Sequence, residues 1–175
     1  KEIISADSNG GSERTDRTRF LAGTSEFIFA NLVFDEFKNI KLIAPLKKNL
    51  KKKKKSMETS LAAYQRSLEY DLTSVTTAAN LKAADIYHDF GKALMESDRP
   101  KGLNDDELEQ YDILLEEQAY PFEEQAIDAH KLNIARVTSG IYDDWVKKSF
   151  SALSTLLPGR YNKEEKSEGT VNAIN

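Results

Sequence analysis

The sequence predicts an all-α protein, an antiparallel array of five or six long helices in one domain. Three observations carry that expectation. Glycine and proline number only 8 and 4 in 175 residues, too little turn punctuation for an all-β fold. Helix formers (Ala, Leu, Glu, Lys and Gln) dominate the middle of the chain. Apolar residues recur at spacings of three, four and seven along most of its length. With 31% charged and 39% hydrophobic residues, the chain suits an elongated helical protein with much surface and a thin core. Either an α-solenoid or a compact bundle would bury such faces.

Residues 1–13, with D-S-N-G-G-S (7–12) inside them, read as a flexible lead-in. The helical domain spans 14–158. Its first helix runs from near Arg14 to about Lys41 and carries Phe20, Phe27, Ala30, Phe34 and Phe37, with Leu21, Ile28 and Leu32 widening the face. Pro45 ends that helix and can open the next. The second helix sets Leu46, Leu50, Met57, Leu61, Tyr64 and Leu68 at spacings of four, seven, four, three and four. The gap of seven leaves one seam position near Lys53 or Lys54, where a lysine can lay its methylenes along the seam and carry its ammonium to water. Five consecutive lysines repel one another, so this helix leans on tertiary contacts.

A third helix is predicted from Thr73 to Glu96, stopping before S-D-R-P at Ser97–Pro100. Asn104 is a good N-cap for the fourth, with Asp105, Asp106 and Glu107 in its first turn. Pro121 kinks or splits that helix. Helical pattern resumes with Phe122, Ala126, Leu132 and Ala135, and Ser139-Gly140 supplies the stop. A last helix holds Ile141, Tyr142, Trp145, Phe150, Leu153 and Leu157, and Pro158-Gly159 ends it. Trp145, the only tryptophan, is expected to anchor the last two helices. Residues 159–175 form a polar tail.

A formal charge of −4 argues against a dedicated nucleic-acid binder. With no cysteine, disulfides, cysteine-ligated zinc and thiol catalysis are excluded. No apolar run reaches transmembrane length. Residue 1 is lysine and the first methionine is Met57, which points to a piece of a longer protein or a processed product.

Two segments resemble halves of a tetratricopeptide repeat. Ser60, Tyr64, Ser67 and Leu68 in S-L-A-A-Y-Q-R-S-L match the small, aromatic, small and large positions of its second helix. Asn80, Ala83, Ala84 and Tyr87 in N-L-K-A-A-D-I-Y match its first-helix pattern. The segments I-Y-H-D-F-G-K-A-L-M-E-S-D-R-P (86–100), L-E-Q-Y-D-I-L-L-E-E-Q-A-Y-P-F-E-E-Q-A-I (108–127) and G-I-Y-D-D-W-V-K-K-S-F (140–150) are similar to the C-terminal part of proteobacterial cell-envelope tetratricopeptide-repeat proteins, some associated with gliding motility. The resemblance covers roughly 18–165. It implies a TPR-like α-solenoid with extended helices, in a periplasmic or outer-membrane-associated scaffold with more repeats upstream. It transfers no catalytic residue, cofactor or metal.

The chemistry-bearing residues are weighed against plainer roles. Seven lysines occupy Lys47–Lys55, with no aromatic residue between Phe37 and Tyr64 to stack bases, so nucleic acid is not expected. The run has enough charge for an anionic lipid. It also has a candidate partner in the chain: from Gly102 to His130 there is no Lys or Arg, but ten acids lie between Asp105 and Asp128. The basic helix is expected to lie beside the acidic one, as second and fourth helices of a helix-pair solenoid. Asp85 and His88 form one Asp-x-x-His, but Ile127 stands where a second such element would need its acid before His130, so no metal is expected and both histidines read as surface or capping residues. Adjacent acids such as Asp143/Asp144 point about 100° apart on a helix and do not converge on a substrate. No phosphate loop, G-x-S-x-G, H-E-x-x-H or EF-hand loop is present.

The function expected is therefore noncatalytic: a scaffold for protein partners in a bacterial cell-envelope complex, with homo-oligomerisation left open. Tyr87 and Phe90, on a concave face, and Lys51, Lys52, Lys54 and Lys55 are the candidate partner-binding residues. The alternative is electrostatic anchoring to an anionic membrane surface or polymer through Lys47–Lys55.

Overall fold

The computed structural model describes residues 1–163. The helices are α1 (Glu2–Asn9), α2 (Asp16–Lys38), α3 (Leu46–Leu68), α4 (Thr73–Met95), α5 (Asp105–Ile134), α6 (Asp144–Leu156) and a last short turn, α7 (Pro158–Tyr161). Short 3-10 turns follow α1 and α5, at Gly11–Glu13 and Ala135–Ser139. No strand occurs among the described residues. The protein is an all-α antiparallel helical array.

The antiparallel order is visible in the residues that meet. Phe27 and Phe34 pack on Tyr64 while Phe37 packs under Lys53, so α3 runs back along α2. Phe90 meets Phe122 with ring centroids 4.5 Å apart, and Thr77 meets Asn133, so α5 runs back along α4. Asn133 meets the Trp145 carbonyl while His130 meets Ser149, so α6 reverses once more. Helix α4 is central, packing against α2, α3, α5 and α6.

Helices α2, α3 and α4 are each 23 residues long, about 34 Å at the α-helical rise. One helix pair begins at Asp16 and the next at Thr73, a separation well beyond the tetratricopeptide period of about 34 residues. The core lies between α2, α3, α4 and α5 and centres on Phe34, Phe37, Met57, Tyr64, Ile86 and Phe90. Each such apolar side chain contributes about 1.5–3 kcal/mol by leaving water. Ser60, Ser67 and Ala84 are fully buried, and these small residues let the helices approach closely.

The helix signals act as their chemistry requires. Asn104 accepts from the Glu107 backbone N–H at 2.9 Å while the Glu107 carboxylate accepts from the Asn104 N–H at 2.9 Å, a reciprocal capping box. Gly140 ends the turn after α5 at φ 78°, a left-handed conformation that glycine adopts without Cβ strain. Asp143 caps α6 by accepting from the Trp145 and Val146 N–H groups. Its second oxygen accepts from the Thr77 hydroxyl at 2.5 Å, tying α6 to α4.

Several expectations are corrected. The lead-in is helical and docked: Asp7 is buried, accepts from the Thr18 hydroxyl at 2.8 Å and pairs with Arg14 at 2.9 Å. Pro121 lies inside an unbroken α5 of 30 residues. The widened face of α2 is not buried: Phe20, Leu21, Ile28 and Leu32 are exposed, because the helix is covered along one stripe only. Val146, Ser149 and Leu153, not Trp145, are the fully buried residues of α6; Trp145 is half-buried, with the Lys148 ammonium 4.5 Å from its ring. His130 is neither surface nor cap. It is buried on α5 beside the Ser149 hydroxyl at 3.3 Å, within a polar layer where Asn133 donates to the Thr77 carbonyl and to Ser149. Residues 159–161 of the expected tail belong to the turn α7, and 164–175 lie outside the described residues.

Candidate interaction surface

Helix α3 presents its lysines outward in a pattern set by helical geometry. Its seam residues Met57, Ser60, Ala63, Tyr64 and Ser67 are buried against α2 and α4. That rotation leaves Lys47, Lys48, Lys51, Lys52, Lys54 and Lys55 exposed. Lys53 alone turns inward, at 3% exposure. Its ammonium does not go to water. It donates to the Phe37 carbonyl at 3.2 Å and the Ile40 carbonyl at 2.9 Å, and lies 4.2 Å from the centre of the Phe37 ring. Helix α2 ends at Lys38, so a cation fixed at its last carbonyls also meets the negative end of its dipole. Burial pushes the Lys53 ammonium below the ordinary lysine range, and the Asp89 carboxylate opposes that shift. Asp89 is itself raised, first by burial and then by Asp85, against Lys38, His88 and Lys53.

The expected pairing of lysines with the acidic block does not form. Helix α4 lies between α3 and α5. Among the described residues, no ion pair joins Lys47–Lys55 to any acid. In the acidic block, Asp112 pairs with Arg99 at 2.7 Å and Asp128 with its neighbour Lys131 at 3.1 Å. The geometric reason is that successive long helices place the second and fourth on opposite sides of the third.

Beside the lysine face lies an open groove of about 750 Å³ between α2, the linker after it and α3. Val33, Ile40 and Ile43 supply apolar surface; Lys41, Lys52 and Lys55 supply positive charge against the one carboxylate of Glu36; Asn39, Asn49, Ser56 and Thr59 supply hydrogen-bonding groups. The mix suits an amphipathic acidic segment. Ile40, Ile43 and Lys41 belong to the linker and were missed as site residues. Their only signal is that an interhelical linker, N-I-K-L-I-A-P, is this apolar.

The six residues proposed from sequence divide. Lys52 and Lys55 line this groove, and Lys51 and Lys54 stand exposed on the same helix. Phe90 is removed from the candidates: at 2% exposure it is core, packed on Phe122. Its position on α4 faces α5 because α4 is covered on several sides. Tyr87 is half-buried against the same cluster. Asp85 is held by Lys82 at 3.0 Å while His88 is exposed, and no group of three or more metal-ligating side chains occurs among the described residues. No helix among the described residues is long and apolar enough to cross a membrane. Comparison of the chain with protein-family models, with curated proteins and with solved structures finds no match.

Proposed function

We propose that this chain is a noncatalytic interaction module, a scaffold that holds protein partners in a bacterial cell-envelope complex. The observation that supports this reading is the groove between α2 and α3, where Lys41, Lys52 and Lys55 outnumber the single acid Glu36 and form no ion pair among the described residues. This excess of positive charge beside the exposed Ile43 favours a partner of opposite charge that also buries apolar surface. Recognition is assigned to Lys52 and Lys55 with Lys51 and Lys54 nearby, rather than to the core residue Phe90.

The test is affinity capture from membrane extracts with the full chain, run beside Lys52→Glu/Lys55→Glu. A defined protein recovered by the wild type and lost by the variant supports the reading. Recovery of the same proteins by both would sink it. A second reading rests on the exposure of all six outward lysines: anchoring to an anionic surface. Salt-sensitive co-sedimentation with phosphatidylglycerol vesicles, without protein capture, would favour that reading.

A further inference from the structure

Helix α5 is longer than the helix it packs against. Its 30 residues span about 45 Å, against about 34 Å for the 23 residues of α4. Gly91 on α4 faces Ala119 and Phe122, and α4 ends at Met95. The first turns of α5 therefore run past the end of α4. Leu115 is the first buried residue of α5. Before it, the helix is braced by Arg99, which donates to Asp112 at 2.7 Å and sets its guanidinium 6.0 Å from the Tyr111 ring.

The overhang has a two-part surface. Asp106, Glu109, Ile113 and Glu117 follow one another at spacings of three, four and four, so they share one outward face. Ile113 is 49% exposed and its neighbour Leu114 55%. Acid and exposed aliphatic surface alternate along a projecting helix end. The groove between α2 and α3 shows the complementary mixture: Lys41, Lys52 and Lys55 outweigh its one acid, Glu36, and stand with Val33, Ile40 and Ile43. Within one chain α4 separates the two helices.

We propose that the overhanging turns of α5 in one copy dock into the α2–α3 groove of a second copy, so that the chain associates head to tail. Charge complementarity selects this occupant. The groove offers cations beside branched aliphatic surface, and the overhang is an acidic helical face in the same protein that exposes branched aliphatic residues. The contact is heterologous, since a pair leaves the groove free on one copy and the overhang free on the other, and it extends into a ring or an open filament according to the rotation between copies. This inference rests on the α2–α3 groove being the recognition surface, and it names the occupant.

The experiment is analytical ultracentrifugation of the full chain across a concentration series at low and high salt. The expected result is a mass that rises with concentration at low salt and less at high salt. A groove variant, Lys52→Glu/Lys55→Glu, and an overhang variant, Glu109→Lys/Glu117→Lys, are each expected to weaken self-association by at least about tenfold. Mixing the two variants restores association, because each reversed surface meets a matching one on the other chain. Restoration also shows that both variants fold. A wild-type chain that stays monomeric throughout, or association unaffected by either reversal, would overturn the proposal. If the chain is monomeric but Lys52→Glu/Lys55→Glu still loses its captured envelope partner, self-docking fails while the groove reading stands.

Discussion

The ammonium of Lys53 holds two carbonyls, that of Phe37 in the last turn of α2, which also accepts from the Ile40 N–H at 3.2 Å, and that of Ile40 just beyond the helix. Lys53→Met would keep the aliphatic stem and strip both hydrogen bonds. The expected loss is about 1–3 kcal/mol by urea denaturation, since the Ile40 carbonyl loses its partner and the Phe37 carbonyl its charged one. Lys52→Met, at an exposed site one residue away, should change stability by less than about 0.5 kcal/mol. His130 makes a pH prediction. Burial holds its imidazole below the ordinary value of 6.5, with Asp85 opposing and His88 reinforcing the shift. Between that lowered value and 6.5 the unfolded chain binds more protons than the folded one. Stability therefore rises with pH in this window and falls as pH drops below about 6.5. Urea midpoints measured on either side should show that slope, and His130→Gln should flatten it. Asp89 acts with the opposite sign: its carboxyl is raised above 3.8, so the folded chain holds the proton longer and stability falls as pH rises through that lower window.

At the scale of elements, close approach decides the next prediction. A Cβ on Gly23 of α2 would lie 2.7 Å from a Leu72 methyl and 2.8 Å from the Tyr70 Cβ. Gly23→Ala should therefore destabilise by about 1 kcal/mol or more, overpacking outweighing the gain in helix propensity. Gly91→Ala places its methyl 3.5 Å from Ala119 and Phe122, ordinary contact, and should be neutral or stabilising by up to about 1 kcal/mol. Thermal melts of the two variants should move in opposite directions or differ clearly in size. Elements with local determinants were legible in the sequence. The Asn104–Glu107 box starts α5 and the 46–68 periodicity orients α3, because both signals act within a few residues. Helix α1 was not legible, since D-S-N-G-G-S (7–12) carries no helical signal of its own and Asp7 is held by the distant Thr18 and Arg14. The groove was not legible either. It depends on where the linker carrying Ile40 and Ile43 lies against α3, and no periodicity reports that.

Across the whole molecule, the two largest blocks of like charge are held apart from each other. Six outward lysines sit on α3 and an acidic block on α5, with α4 between them. Like charges at helical spacing cost about 0.2–0.5 kcal/mol per pair, so salt should stabilise the monomer rather than loosen it. Replacing Lys51, Lys52, Lys54 and Lys55 with glutamine should raise stability by about 1 kcal/mol and reduce the salt response, read by melts at concentrations where the chain is monomeric. That is the opposite of what an internal pairing of the two blocks would give. The inward turn of Lys53 has one more consequence, for covalent chemistry. Five chemically identical amines stand side by side at 51–55, yet four face solvent and one is enclosed by α2 carbonyls. A brief acylation of the native chain, followed by peptide mass spectrometry, should tag the four and spare the one. Unfolding should abolish the distinction, making this amine an internal reporter of whether α3 is seated on α2.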